Sequence, residues 1–422
     1  MTRRRNGDGL VNVASGLGMG KSKRVHNSFE FDMLNNWHQL DAAYQTNWLA
    51  AKIVDIPAED MCREWRRIKC DGAEDIVALE DEFGVPEKVQ EALSWARLYG
   101  GGGILMVTDQ DLEKPLDVTR LKKDSLKKLL VFDRYDLTPG IMNTFDVLAD
   151  NYMQPEFYTL RNGSQRIHWT HVAKFQGKKL PRRWQERTHG WGDSTLRRCI
   201  EDVMDMVASK DGIAELMQEA NVDVIKAVGL ADDLASDQDE AIIERYQLFS
   251  QMKSIINMAL LDEDETLERH TLNLSGVAPI IEQFMTWISA AADIPVTRMF
   301  GTSAKGMNAT GEGDETNYNN SLRAGQKRDM APGLRMLDEV LVRSALGEFP
   351  DNYAYTWNPL KQPNALEIAQ AQHLIAQKNT MYLDANVVQR SQVMRELQAG
   401  QEYQFNEEEL DELEELESSN LF

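Results

Sequence analysis

The sequence predicts an α+β protein that is predominantly α-helical. Long stretches repeat apolar residues every three or four positions, as in VAPIIEQFMTWISAAA at 277–292, which is the spacing of an amphipathic helix. In the first half, short apolar runs such as ILMV at 104–107 lie between helical stretches and are typical of buried strands. With 422 residues, 42% of them hydrophobic, we expect two or three packed units.

Residues 1–28 are predicted to form a flexible basic arm, because they combine small residues with Lys and Arg and show no apolar period. Gly20, Lys21 and Ser22 match the end of a phosphate-binding GxxxxGK[ST] loop. Ser15, however, stands where the first glycine is required, and no convincing strand precedes it. We therefore do not expect a nucleotide site in this arm.

Residues 29–193 are predicted to form a mixed α/β domain. A first helical stretch is expected to break near Pro57 and restart. A second begins at Pro86 and stops at the glycine run 100–103, after which ILMV forms a strand. Because this run follows a helix instead of preceding one, it has the wrong polarity for a phosphate site, and we interpret it as a place of close packing. The segment RIHWTHVAKF at 166–175 is expected to be another strand.

The middle of the chain is predicted to contain two long helices, at 194–221 and 274–293, with Ser194 or Thr195 as the first cap. Between them, residues 222–273 have the pattern of a small strand, helix, strand insert. This insert contains consecutive carboxylates that form either a solvated run or the contact site of a basic partner: Asp262, Glu263, Asp264 and Glu265.

A glycine-rich segment, FGTSAKGMNATGEGDE at 300–315, joins the second long helix to the helix that follows. Its glycines give backbone freedom, and its lysine can touch an anion transiently. The residues singled out are Gly301, Lys305, Gly306, Asn308, Gly311 and Gly313. A plain surface loop between two helices remains the alternative.

The helix that begins at residue 316 contains Pro332 and Gly333, so we expect it to be bent there, because proline costs a helix interior about 3 kcal/mol. Residues 364–400 are predicted to form a pair of short helices. Residues 401–422 form an acidic tail whose like charges need a basic partner or solvent.

The net charge of −22 argues against a protein that holds nucleic acid by neutralising phosphates, since such proteins carry excess Lys and Arg. Three cysteines without a CxxC pair argue against a disulfide framework or a zinc site, and we expect them reduced and mostly buried. No apolar run reaches the roughly eighteen residues of a membrane span.

An enzymatic alternative is a phosphodiesterase with two H-x-T motifs that acts on cyclic oligonucleotide signals. His168-Trp169-Thr170 matches one motif, but a second is missing, which leaves the reaction without its proton donor. A metal site from His168, His171 and His189 is possible on spacing, but no carboxylate pattern joins them. We expect no catalytic residue, no metal and no cofactor.

Four phrases together resemble the portal proteins of tailed bacteriophages, in the subfamily long labelled DUF1073. They are WARLYGGGGILM at 95–106, RIHWTHVAKFQGKKLP at 166–181, IPVTRMFGTSAKGMNATGEGDETNY at 294–318 and WNPLKQP at 357–363. The resemblance covers roughly residues 30–400, and the 294–318 phrase is its most specific part. A scaffold or adaptor that forms no ring is the rival interpretation, but it would leave the glycine-rich loop and the bent helix unexplained.

The resemblance implies a portal fold made of an α/β wing, a helical stem, a small α/β clip, a kinked long helix and a helical crown. Its implied boundaries are the wing at 29–193, continued by 316–363, the stem at 194–221 and 274–293, the clip at 222–273, the tunnel loop at 294–315 and the crown at 364–400.

The resemblance also implies a non-enzymatic, dodecameric ring at one capsid vertex, through which double-stranded DNA is packaged and later ejected. Its implied partners are the terminase large subunit, the major capsid and scaffolding proteins and the head-completion or connector proteins. DNA would pass without sequence-specific contacts and no membrane would be involved. The protein would be part of the virion, assembled in the host cytoplasm.

Overall fold

The computed structural model describes most of the chain between residues 36 and 416. The described residues are 36–161, 163, 165–218, 221–226, 247, 266–271, 276–302, 311–361, 365–385, 387–399, 406, 410–413 and 416. They divide into two compact units, Met1–Asn358 and Pro359–Phe422. Several predicted features lie outside the described residues: the arm at 1–28, the carboxylates Asp262 to Glu265, and Lys305, Gly306 and Asn308.

The first part of the first unit contains helices and small antiparallel sheets, in agreement with the predicted α+β class. Its helices are α1 (Trp37–Thr46), α2 (Trp48–Arg63), α3 (Ala73–Phe83), α4 (Val85–Tyr99) and α5 (Arg182–Arg187). Its strands are β1 (Arg66–Lys69), β2 (Gly101–Thr108), β3 (Leu126–Asp133), β4 (Leu137–Pro139), β5 (Phe157–Leu160), β6 (Arg166–His168) and β7 (Val172–Gln176).

The remainder of the first unit is mainly helical. It contains α6 (Ile200–Gln218), β8 (Asn221–Lys226), β9 (Thr266–Thr271), α7 (Val277–Ala292), α8 (Val296–Phe300), α9 (Glu312–Gly325), a π-helical segment (Gln326–Met330), α10 (Ala331–Leu346) and β10 (Ala354–Trp357). In the described part of the chain, no helix is long and apolar enough to cross a membrane.

Six antiparallel pairings among the described strands form four sheets. The orders are β3-β2-β7 and β4-β5-β6 in two three-stranded sheets, and β1-β10 and β8-β9 in two ribbons. The β8-β9 pairing brings together the two strands expected at the ends of the insert predicted at 222–273. The helix predicted between them lies almost wholly outside the described residues.

The segment 166–175 was expected to be one strand, and that prediction was wrong. β6 ends at His168, a 3-10 turn covers Trp169–His171, and β7 then begins at Val172. The two strands belong to different sheets, because the turn redirects the chain from the β4-β5-β6 sheet to the edge of the β3-β2-β7 sheet.

The predicted break near Pro57 was also wrong, since α2 runs without interruption from Trp48 to Arg63. A proline lacks the N–H that would bond the carbonyl four residues earlier, here that of Ile53. Arg97 on α4 supplies the missing donor, with Nη2 2.7 Å from the Ile53 carbonyl oxygen and Nε 2.8 Å from that of Val54. A side chain from a neighbouring helix therefore keeps Pro57 inside α2.

The glycine run 100–103 is a site of close packing, as predicted. Gly100 ends α4 with φ +90°, a conformation that strains residues with a Cβ. A Cβ on Gly101 would lie 2.3 Å from the Trp191 ring, and one on Gly102 would lie 2.2 Å from the Ala92 carbonyl oxygen. β2 can therefore lie directly on α4.

Two clusters of buried apolar side chains contribute to the core of the first unit, as do Leu334, Leu337 and Val340 on α10. The larger brings α1, α2, α6 and α7 together around Leu49, Ile53, Leu196, Ile200 and Ile288. The smaller fills the space beside the sheets and contains Leu105, Leu137, Tyr158, Ile167, Val172 and Trp191. The long helix was predicted to begin at residue 194 with Ser194 or Thr195 as its cap, and that prediction was wrong, because α6 begins at Ile200. Ser194 Oγ instead accepts a hydrogen bond at 3.1 Å from the N–H of Leu196, the first residue of a 3-10 turn that covers Leu196–Arg198.

A buried ion-pair network joins β1, α3 and α10. The Arg66 guanidinium has no exposed side-chain area and donates to the Glu80 carboxylate at 2.7 Å and to the Asp338 carboxylate at 2.5 and 2.7 Å. Trp65 Nε1 donates to the second Glu80 oxygen at 3.1 Å. Every charge in this network therefore has an opposite charge beside it.

Pro332 and Gly333 lie in the first turn of α10, directly after the π-helical segment. The wider turn accommodates the proline, because its missing N–H and its ring both disturb the preceding α-helical hydrogen bonds. Gly333 has a packing role, since a Cβ there would lie 2.8 Å from the Phe175 ring and 2.9 Å from the Lys174 carbonyl oxygen. A bend of the axis at these residues stays a prediction.

The second unit contains α11 (Ala365–Asp384) and α12 (Arg390–Ala399). We expected a pair of short helices, but α11 has 20 residues. The helix continues because QKNTMYLD, at 377–384, contains neither Pro nor Gly to end it.

Candidate functional site

The two ends of the glycine-rich segment are defined by glycines in the left-handed conformation. α8 ends at Gly301 and α9 begins after Gly311, each with φ +71°. A Cβ at either position would meet no atom within 4 Å, so the backbone conformation, not packing, is what favours glycine there. Gly313 lies in the first turn of α9, also with open space around it.

Both flanks of the segment are attached to one carboxylate, that of Asp60 on α2. On the α8 side, Arg298 Nε and Nη2 each lie 3.1 Å from an Asp60 oxygen. On the α9 side, Tyr318 Oη donates to Asp60 at 2.8 Å. Asp60 is 2% exposed and also accepts from Arg63 at 3.1 Å. We call Asp60, Arg298 and Tyr318 the Asp60 clamp.

Asp60 favours the protonated form of both donors of the clamp. The hydrogen bonds that Arg298 donates to the Asp60 carboxylate are the main cause that raises the pKa of Arg298. Burial raises the pKa of Tyr318, and the negative charge of Asp60 raises it further. Both side chains therefore donate to the carboxylate throughout the physiological pH range.

Further contacts hold α8 against α2. Lys52 Nζ donates to the Met299 carbonyl oxygen at 2.6 Å, near the C-terminus of α8, where a cation also complements the helix dipole. The Trp48 and Phe300 rings meet edge to face with their centroids 6.0 Å apart. The base of the glycine-rich segment is thus anchored on a helix of the core.

Sequence patterns singled out the glycines but missed the Asp60 clamp. Arg298 and Tyr318 belong to the 294–318 phrase, but nothing in the sequence indicates their partner, which is 238 and 258 residues away. Asp60 lies in α2, and an acidic residue in a helical stretch does not by itself indicate a contact with residues so far along the chain. Residues 303–310, which include Lys305, lie outside the described part of the chain.

The single H-x-T motif has a structural role in the fold. His168 is 6% exposed, and its Nδ1 lies 2.8 Å from Thr170 Oγ1. That hydroxyl also accepts from the Leu116 N–H at 2.8 Å. Burial lowers the pKa of His168 and of His171, whose Nε2 lies 3.0 Å from the Lys114 carbonyl oxygen. These imidazoles support the local turn.

Among the described residues, no group of three or more His, Cys, Asp and Glu side chains is placed to hold a metal ion. The three thiols are free; Cys62 and Cys199 are buried, and Cys70 is partly exposed.

A family model described as "Phage portal protein" matches residues 38–381, which include every element from α2 to α10 and the Asp60 clamp. The chain belongs to this family. The resemblance drawn from the four sequence phrases is thereby confirmed, and the predominantly α-helical α+β fold described above is the portal fold.

Two relatives carry the name "Anti-CBASS protein Acb1". The protein from Caulobacter sp. (strain RHG1) is 35% identical over 372 residues, which are 84% of this chain and 59% of that protein. The protein from Sphingomonas paeninsulae is 32% identical over 400 residues, 90% of this chain and 63% of that one. This chain therefore spans about three fifths of the length of these relatives.

A solved structure described as the neck of an empty GTA particle, computed with C6 symmetry, has a similar fold. It has a TM-score of 0.53 and 16% sequence identity, and the match covers 86% of this chain and 93% of that one. At this identity the similarity concerns the fold.

Proposed function

We propose that the protein is a portal subunit whose copies close into a ring at one capsid vertex, through which double-stranded DNA enters and leaves. The observation that carries the proposal is the Asp60 clamp, which fixes the base of a glycine-rich segment to the core helix α2. A glycine-rich loop whose base is fixed can change its shape as a duplex passes without unfolding the helix that supports it.

Exposed apolar side chains on α6 and α7 support assembly into a ring. Ile280 and Trp287 on α7 are 56% and 53% exposed, and Met204 and Met217 on α6 are 47% and 61% exposed. Side chains of this size on neighbouring helices are typical of surfaces that a second copy covers. Following the family resemblance, we propose twelve copies.

Charge supports passage of DNA without retention. A net charge of −22 makes phosphate binding over a large surface unfavourable, so a bore lined by such subunits would let a duplex slide. We propose that Lys305 in the proposed tunnel loop touches phosphates transiently, because a contact made by a single lysine is screened by salt and easily exchanged.

We propose that the clip at 222–273, with its carboxylates Asp262 to Glu265, contacts the terminase large subunit and later the connector proteins. The wing, stem and crown would contact neighbouring copies and the capsid and scaffolding proteins. In this role the protein is structural and belongs to the virion, and the ATP chemistry resides in the terminase. Assembly would take place in the host cytoplasm.

The phosphodiesterase alternative is not favoured. His168 and Thr170 are occupied by local hydrogen bonds, and the sequence lacks a second H-x-T motif. The relatives named for an anti-CBASS role do not change this assignment, because the chain spans only 59% and 63% of them.

Negative-stain microscopy of the full chain tests the proposal. We expect rings with a central hole, and compact single subunits at every salt and protein concentration would refute ring formation. Hydrolysis of cyclic oligonucleotides that disappears in His168→Ala would show that the protein is an enzyme after all.

A further inference from the structure

A cavity of about 650 Å³ lies within the first unit, between the free edge of β7, helix α4 and the start of α10. Six cationic side chains line it: Arg97, Lys174, Lys178, Lys179, Arg198 and Arg328. Among its described lining residues, Asp329 is the one carboxylate. We call this the basic cavity.

The charge of the basic cavity is opposite to that of the protein. The chain has 68 acidic and 46 basic residues, so a random patch would carry an excess of carboxylates. Such a concentration of like charges raises the free energy of the folded state unless an anion offsets it. The cavity is therefore a feature that the general composition does not explain.

Most of these cations have no carboxylate partner. Arg328 pairs with Asp329 at 2.7 Å. Arg97 donates to backbone carbonyls, while Lys178, Lys179 and Arg198 form no ion pair within the described residues. Burial lowers the pKa of Lys178, the positive charges of Arg97 and Arg328 lower it further, and the carboxylates of Asp293 and Asp329 oppose this shift. The cationic groups are therefore close enough to repel one another.

Lys174 on β7 is the most unusual member of the set. Its ammonium is buried and has no hydrogen-bond partner in the described structure. It lies 4.2 Å from the centroid of the Trp191 ring and 5.7 Å from that of Tyr158, so its charge is compensated only by aromatic faces. Burial lowers its pKa to about 7. An unpaired buried ammonium usually marks a place where a ligand or water supplies the missing acceptor.

The remaining lining suits an anion that carries a ring. Trp169 offers an aromatic face, and Met61, Leu93 and Met336 provide apolar surface on the opposite helices. Pockets for small ligands usually occupy roughly 300–1,000 Å³ and combine apolar walls with a few convergent polar groups. A duplex is too wide to enter such a cavity, so a free small anion is the better match.

We propose that the basic cavity binds a phosphate-bearing small anion of nucleotide size, such as a nucleoside triphosphate. Lys174, Lys178 and Arg198 would contact the phosphates, and Trp169 would contact the base. Because Arg328 and Asp329 belong to the π-helical segment, bound anion would tie the start of α10 to β7. The site lies within one unit and does not depend on ring formation.

Isothermal titration calorimetry of the full chain with inorganic triphosphate and, separately, ATP at pH 7 tests the proposal. We expect both to bind, with ATP at least threefold tighter if Trp169 contacts the base. Lys174→Met and Arg198→Gln should each weaken binding at least tenfold. Arg198 is exposed, so its replacement leaves the core intact if Lys174→Met folds poorly.

Lys128→Gln is the matched control, since it removes one positive charge from an exposed position on β3 away from the cavity. It should leave the affinity within twofold. The proposal is overturned if neither anion binds, if Lys128→Gln weakens binding as much as Arg198→Gln, or if short duplex DNA competes for the site more tightly than ATP.

Discussion

Asp60 and Tyr318 form a 2.8 Å hydrogen bond that connects core helix α2 to the first residues after the glycine-rich segment. The same carboxylate holds Arg298 on the other side of that segment. One buried side chain thus sets where both ends of the proposed tunnel loop begin.

Asp60→Ala should destabilise the first unit by about 1–3 kcal/mol, because it leaves Arg298 and the buried Tyr318 hydroxyl without their acceptor. Denaturant unfolding followed by tryptophan fluorescence measures this. Glu59→Gln is the matched control, since Glu59 is half exposed and lies 3.8 Å from Arg298. Equal destabilisation by both variants would show that the clamp contributes nothing specific.

Deleting residues 301–313 should leave rings that assemble but package DNA at least tenfold less efficiently, because most of the proposed tunnel loop is lost. Lys305→Ala should have a smaller effect, since a single screened contact is worth little. An in vitro packaging assay with purified terminase measures both, with ring formation checked by microscopy. Normal packaging by the deletion variant would contradict the tunnel-loop assignment.

Asp338→Ala should destabilise the first unit by about 3–5 kcal/mol, because the Arg66 guanidinium would stay buried with less compensation. Glu339→Ala is the control, since the neighbouring Glu339 is partly exposed and its partner Arg343 lies one turn away on the same helix. Replacing Arg66, Glu80 and Asp338 together by apolar residues should recover most of the stability that Asp338→Ala loses. Denaturant unfolding of the four proteins decides whether the network acts as a unit.

Lys174→Met should stabilise the protein in a pH-dependent way. The folded-state pKa of Lys174, about 7, is below its unfolded value of 10.5, so protonation favours the unfolded state. The destabilisation of the folded state by Lys174 is therefore fully present below pH 7 and disappears as the pH rises towards 10.5. We expect Lys174→Met to raise the free energy of unfolding by about 2 kcal/mol at pH 6. This is less than the full pKa shift of Lys174 implies, because the lysine stem is partly accessible to water.

Thermal unfolding of wild type and Lys174→Met between pH 6 and 9.5, in phosphate-free buffer, measures this difference. A gap in melting temperature that stays constant or widens with pH would show that Lys174 is not a buried, unpaired ammonium. Lys128→Met serves as the control, because its exposed side chain should give no pH-dependent gap.

Local signals predicted much of the fold. The glycine run 100–103 ends a helix and allows close packing, and both effects follow from the glycines themselves. The apolar period at 277–292 likewise matches α7. Predictions failed where a distant side chain changed the local outcome. Pro57 should break a helix on its own, but Arg97 from α4 bonds the carbonyls near it, and the turn at Trp169–His171 divides what looked like a single strand.

The candidate site follows the same division. The glycines at 301 and 311 could be found because their left-handed conformation is a local property that only glycine adopts easily. Asp60, Arg298 and Tyr318 could not, since charged and polar residues are common and sequence spacing does not indicate which ones meet.

By itself, the amino-acid order determined the apolar spacing of the helices, the glycines that end or separate them, and the four phrases that place the protein among portal proteins. Those features depend on neighbouring residues along the chain, which the sequence lists directly. Only the tertiary structure decided that Asp60 holds both flanks of the glycine-rich segment, that Arg66 lies between two carboxylates, and that six cations line one cavity of an acidic protein. Such groupings arise when elements far apart in the chain pack together, and long-range packing is what a local pattern does not encode.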